Sequence, residues 1–167
     1  TKSILIFVMS LMLIPFELVA QCLPAPNCTP GGPTNSNAGS FNMGIRRVVL
    51  NAIDNTSPFN TSVNQTGYED FSCTDTTSLT EGVGYTVTVT TNGNPPVNTA
   101  NENVRIWVDL NNNQAFSTNE LIFSSNNQQI HSGTIQIPGG AVKDTLLRLR
   151  IAAEWVNATN PIPTPCD

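Results

Sequence analysis

The chain has 167 residues, enough for one domain with a packed core, and carries a net charge of −5 with a pI near 4.6. That acidity argues against nucleic acid as a partner, because a phosphate backbone needs a basic face. Charged residues are only 11% of the chain, whereas Asn occurs 21 times and Thr 20 times; Thr suits strands and Asn suits turns, so the composition is that of a β-rich exported protein.

Residues 1–20 point to the same compartment. Lys2 gives a positive start, Ile4 to Phe16 form an apolar run, and Leu18-Val-Ala20 offers a small-residue cleavage context before Gln21. Ser10, Pro15 and Glu17 interrupt the run, which leaves it too short for a membrane span. It is expected to be a secretory signal peptide or, if retained, an apolar segment buried in a strand or helix between subunits. Localisation is accordingly expected to be secreted or at the cell surface, with no membrane span in the mature protein.

Cys22, Cys28, Cys73 and Cys166 make an even number in an exported chain, which implies two disulfides. No CxxC spacing is present and His131 is the single histidine, so a thiolate metal site is the weaker reading. The expected pairing joins one N-terminal cysteine to Cys166 and the other to Cys73. Residues 21–43, rich in Pro, Gly, Asn and Ser, then read as an irregular lead-in pinned by those bonds.

From Gly44 onward strand signals recur up to Asp167. In "IRRVVLNAID", Val48, Leu50 and Ala52 alternate with Arg47, Val49 and Asn51; in "YTVTVTT", Tyr85, Val87 and Val89 alternate with Thr86, Thr88 and Thr90. "NGNPPVN" forces a turn. "NVRIWVDL" puts Ile106 and Val108 on one face and Arg105, Trp107 and Asp109 on the other. "LIFSS" and "IHSGTIQIP" give two more short strands, and "TLLRLRIAAEW" sets Leu147, Leu149 and Ile151 against Arg148 and Arg150. With no sustained helical period, six to eight short strands indicate an all-β antiparallel sandwich or jelly roll over residues 44–167; an open barrel fits the same periodicity.

Between two of those strands lies "DLNNNQAFSTNE". It places side-chain oxygens at positions one, three, five, nine and twelve, the order of a calcium-binding loop. Asp109, Asn111 and Asn113 can converge if the chain curls, Ala115 can offer its carbonyl, and Glu120 can close the shell. Gln114 stands where such loops want glycine. With two charged ligands the expected affinity for Ca²⁺ is modest, roughly 10⁻⁴–10⁻³ M. The other reading is an Asn-rich turn whose side chains bond their own backbone.

"VRIWVDLNNNQAFSTNELIF", followed by "IQIPGGAVKDTLLRLRIA" and "PIPTPC", resembles the GEVED domain family of secreted proteins common in Bacteroidota. The upstream "GIRRVVLNAIDNTS", "GYEDFS" and "LTEGVGYTVTV" resemble its preceding strands, so the likeness covers about residues 44–166. It implies a non-enzymatic β-sandwich of the kind found in cell-surface, adhesive and exported multidomain proteins. Asn113-Gln114 departs from the family's Asp-Gly, and the Gly-Glu-Val-Glu-Asp strand expected after the late cysteine is lacking from this sequence, which would leave a sheet edge open. The expectation that follows is a homo-oligomer or filament in which another subunit's strand is added to an open sheet edge.

Glycosylation is a further expectation. Asn27, Asn55, Asn60, Asn64 and Asn157 begin N-x-S/T sequons, and Thr76 and Thr145 follow Asp in the manner that the resemblance associates with O-glycans. Trp107, with Tyr68 and Tyr85, offers aromatic rings for sugar stacking, which makes a carbohydrate-binding module the alternative to a structural or adhesive subunit. A hydrolase ranks third: no G-x-S-x-G or H-E-x-x-H occurs, and Glu69 and Asp70 are adjacent, so in a strand they point to opposite faces.

Overall fold

The computed structural model describes residues 23, 26–28, 30, 43–57, 67–91 and 100–166. Among them are seven strands and no α-helix: β1 (Ile45–Leu50), β2 (Ile53–Thr56), β3 (Gly84–Thr91), β4 (Glu102–Val108), β5 (Leu121–Gln128), β6 (Ile130–Gln136) and β7 (Leu149–Trp155), with one 3₁₀ turn at Thr118–Glu120. They build two antiparallel sheets, ordered β2-β1-β3-β6 and β5-β4-β7. The expected sandwich is therefore the observed one.

The core is the filling between these sheets. Leu50, Val87, Val89 and Ile135 from the first sheet meet Val104 and Ile106 from the second, all 0–1% exposed. Each comes from an alternating run, because successive side chains in a strand point to opposite faces. Tyr85 keeps phase with Val87 and Val89, and its hydroxyl accepts from Thr80 N at 2.9 Å. Gly133 lets the sheets close: a Cβ there would sit 2.8 Å from Cε2 of Phe123.

Three details depart from the sequence pattern. The run "IRRVVLNAID" is two strands, not one. Leu50 pairs with Ile53 across Asn51-Ala52, and Asn51 takes φ 50°, a left-handed conformation that Asn tolerates. Ala52 is thus an exposed turn residue and not part of the apolar face. The strands β5 and β6 are separated only by Gln129 yet belong to different sheets, so the chain crosses the sandwich there. Finally, β4 is buried at every position. It is the middle strand of its sheet, and its outer face is covered as well as its inner one: Asn103 Nδ2 donates to Pro161 O at 2.6 Å, and Pro163 is buried.

Among the described residues no helix is long and apolar enough to cross a membrane. Residues 1–20, Cys22 and the segment 31–42 lie outside the described residues, and with them the expectation about the apolar segment.

Candidate functional site

The loop 109–120 leaves the buried strand β4 at Asp109, which is 2% exposed. Asp109 N donates to Arg148 O at 2.9 Å, which fixes the loop's start against β7. Asp109 Oδ1 then accepts from Asn113 N at 3.0 Å and Oδ2 from Gln114 N at 2.7 Å. Asn111 Oδ1 accepts from Asn113 N at 3.0 Å, and Asn113 Oδ1 from Ala115 N at 2.9 Å. The chain curls around its own side chains because each Asx oxygen takes a backbone donor two or more residues ahead. Asn112 and Gln114 adopt φ 56° and 68° to make the curl. Gln114 thus occupies the left-handed position where glycine would be free of strain.

Glu120 closes the loop from the other side and is 3% exposed. Its Oε1 accepts from Leu110 N at 3.0 Å and, at a longer 3.4 Å, from Asn111 N. Its Oε2 accepts from Ser117 N at 2.8 Å and from Ser117 Oγ at 2.9 Å. Reaching back to the residue that begins the 3₁₀ turn is the carboxylate half of a capping box.

The five expected ligands, Asp109, Asn111, Asn113, Ala115 and Glu120, do share this one loop. A carboxylate offers about four lone-pair directions. By that measure Asp109, Asn111 and Asn113 keep acceptor capacity beyond the bonds above, and an all-oxygen set of this kind suits a hard cation. Glu120 stands apart, because backbone and hydroxyl donors already fill its acceptor directions. Among the described residues no group of three His, Cys, Asp or Glu side chains is placed to hold a metal. Any cation here would therefore rest on the one Asp109 carboxylate together with amide oxygens.

The N-terminal lead-in straps down the loop. Asn27 N donates to Gln114 O at 2.8 Å, and the adjacent Cys28 is bonded to Cys166. Beneath this strap lies Arg150 of β7, 5% exposed, which donates from Nη1 to Cys28 O at 3.1 Å and to Pro165 O. Its guanidinium stacks over the rings of Phe116, at 4.8 Å, and Tyr68, at 5.5 Å. Arg148 Nη2 donates to Leu23 O at 3.0 Å and its Nη1 pairs with Asp70 at 3.2 Å. The polar face of "LRLRI" is thus a buried anchor for the lead-in. Sequence reading gave Arg148 and Arg150 no role and named Asn27 only as the start of a sequon; the only signal was two arginines in phase in "LRLRI".

The expected pairing of an N-terminal cysteine with Cys166 is Cys28–Cys166. Cys73 is disulfide-bonded too, and its expected partner, Cys22, lies outside the described residues. Trp107 is 5% exposed. A sugar-stacking ring needs an open face, so this tryptophan is a packing residue and not a platform. Thr76 and Thr145 are exposed, whereas Asn55 is half-buried and donates from Nδ2 to Asp75 Oδ2 at 2.6 Å. Asn60 and Asn64 lie outside the described residues.

At the other end of β4, Glu102 is 2% exposed and accepts from Gly44 N at 3.0 and 3.2 Å, which ties the second sheet to the start of β1. Burial pushes its carboxyl above the usual range, against the pull of the Gly44 N–H, the Thr91 side chain and Arg46. His131, fully buried, has Nδ1 2.8 Å from Ser125 Oγ. Burial lowers its pKa to about 4, with the Gln128 carbonyl opposing and Arg105 assisting. It is a neutral core imidazole, not a general base for neutral pH.

Residues 103–167 match the model of the GEVED domain, the family that the sequence resembles. The match takes in β4 through β7, the candidate loop and Cys166; the earlier strands β1 to β3 fall outside it. No curated protein and no solved structure matches the chain.

Proposed function

We propose that this chain is an extracellular structural or adhesive module, a self-associating subunit of a surface filament or layer, whose 109–120 loop is stiffened by calcium. What carries the reading is the strapped loop: the lead-in and the segment after β7 meet in the Cys28–Cys166 bond directly beside a curl of amide and carboxylate oxygens. A disulfide persists in an oxidising extracellular setting, and millimolar calcium is available to a loop of modest affinity there. Asp109, Asn111, Asn113 and the Ala115 carbonyl would hold the ion, and Glu120 would shape the loop around it. Bound there, calcium would neutralise the buried Asp109 charge and rigidify the curl. Nothing in this role is catalytic.

Assembly follows from the sheet edges. β7 ends the three-stranded sheet among the described residues, and an edge strand accepts a partner's strand by backbone pairing. O-linked glycans on the exposed Thr76 and Thr145 would be compatible with such a surface layer. The test is electron microscopy and calorimetry of the secreted protein with calcium and with EGTA. Ordered filaments together with a melting temperature that rises on adding calcium, a rise that Asp109→Ala abolishes, are the expected result. Dispersed particles that bind a glycan array would favour a carbohydrate-binding module instead. A melting temperature indifferent to calcium would end the metal reading.

A further inference from the structure

The two sulfurs of the Cys28–Cys166 bond sit in unlike surroundings. Cys166 is exposed to solvent, whereas Cys28 is half-buried beneath the strap. Arg150 Nη1 lies 3.6 Å from Cys28 Sγ while also donating to the Cys28 carbonyl. Arg150 Nη2 is buried as well, so the whole guanidinium is withdrawn from solvent. The rings of Phe116 and Tyr68 hold the guanidinium in place, which keeps its charge beside one sulfur of the pair.

Thiol–disulfide exchange depends on access to the attacked sulfur and on the stability of the thiolate that leaves. Access favours Cys166, and the buried cation favours departure of Cys28. We infer that Cys28–Cys166 is a directional thiol-exchange site, at which a small-molecule thiolate couples to Cys166 and expels Cys28 beside Arg150. In that step a new S–S bond forms at Cys166 Sγ as the old one breaks. The electron pair of the broken bond goes to Cys28 Sγ, so one thiolate is consumed and one released. A second small thiolate then attacks the small-molecule sulfur of the mixed disulfide. Cys166 leaves as a thiolate, and the two small thiols end as their disulfide, having given up the two electrons that the protein disulfide gains.

The exchange has a structural consequence. Opening it leaves Asn27, whose N–H holds Gln114 O, secured by non-covalent contacts alone. The site is therefore a latch on the loop, whether or not the loop holds calcium.

The experiment treats the oxidised full chain with about 10 mM glutathione at mildly alkaline pH, quenches with acid, alkylates, and maps both cysteines by mass spectrometry. The expected product carries glutathione on Cys166 and the alkyl group on Cys28, in at least about tenfold excess over the reverse. Arg150→Gln is expected to slow opening about tenfold and to erode that excess, leaving the Cys73 disulfide as an unchanged internal reference. Glutathione found mainly on Cys28, an even split, or no opening within hours would each overturn the inference. The wild-type regiochemistry decides the matter even if Arg150→Gln fails to fold.

Discussion

Strand β4 carries a buried carboxylate at each end, and the two are satisfied in opposite ways. Glu102, 2% exposed, reaches across the sandwich to Gly44, fifty-eight residues away in sequence. Asp109, also 2% exposed, takes both of its backbone donors from its own loop, four and five residues ahead. A carboxylate held by long-range donors depends on the whole sandwich being assembled. One held by neighbouring amides shapes its own loop and brings its acceptors with it. The difference explains why the Glu102 end welds the two sheets while the Asp109 end forms a shaped loop that a strap must hold down.

The comparison breaks most visibly under isosteric neutralisation. Asp109→Asn replaces one acceptor oxygen with an NH₂ that confronts a backbone N–H, and is expected to cost about 3 kcal/mol, since a buried unsatisfied donor costs about 1–3 kcal/mol. Glu102→Gln is expected to cost under about 1 kcal/mol, because burial already disfavours the charged form that the substitution removes. Urea denaturation of the two variants at neutral pH checks the order. Equal losses would mean that the two ends do not differ as described.

Acid titration sharpens the same contrast at the Glu102 end. His131 has a folded pKa of about 4, below its unfolded value near 6.5. As pH falls from 6.5 to 4, the unfolded chain gains a proton that the native imidazole refuses, so stability declines by up to about 3 kcal/mol and then levels off. Glu102 works the other way, since its raised pKa lets the native state take up a proton first, and it offsets part of the loss. His131→Gln is expected to flatten the decline in a series of melting temperatures across that window. An unchanged slope would place the acid sensitivity elsewhere.

The smallest effect concerns the loop itself. Gln114 at φ 68° bears a strain that glycine would not, so Gln114→Gly is expected to stabilise the protein by about 0.5–1 kcal/mol in the same denaturation experiment. A loss of stability would show that the Gln114 side chain makes contacts outweighing its backbone strain.

Much of this protein was legible in the sequence, and the reasons are local. Period-2 alternation around Val87, Val89, Val104 and Ile106 marked the inner faces, because a strand's geometry forces it. The spacing of Asp109, Asn111 and Asn113 fixed the curl of the loop, since each side chain bonds backbone within reach along the chain. The even cysteine count announced disulfides, but four cysteines allow three pairings, and that Cys28 is the partner of Cys166 is a matter of the fold. Other features had no local signature. That Asn51 splits one apolar run into a hairpin, that the chain changes sheets at Gln129, and that β4 is covered on both faces depend on which strands end up adjacent. Trp107 and Arg150 have the same sequence character as surface residues, an aromatic and a cation on the polar phase of a strand. Only the tertiary structure buries them, because the lead-in and the C-terminal segment fold over a face that the sequence pattern would leave to water.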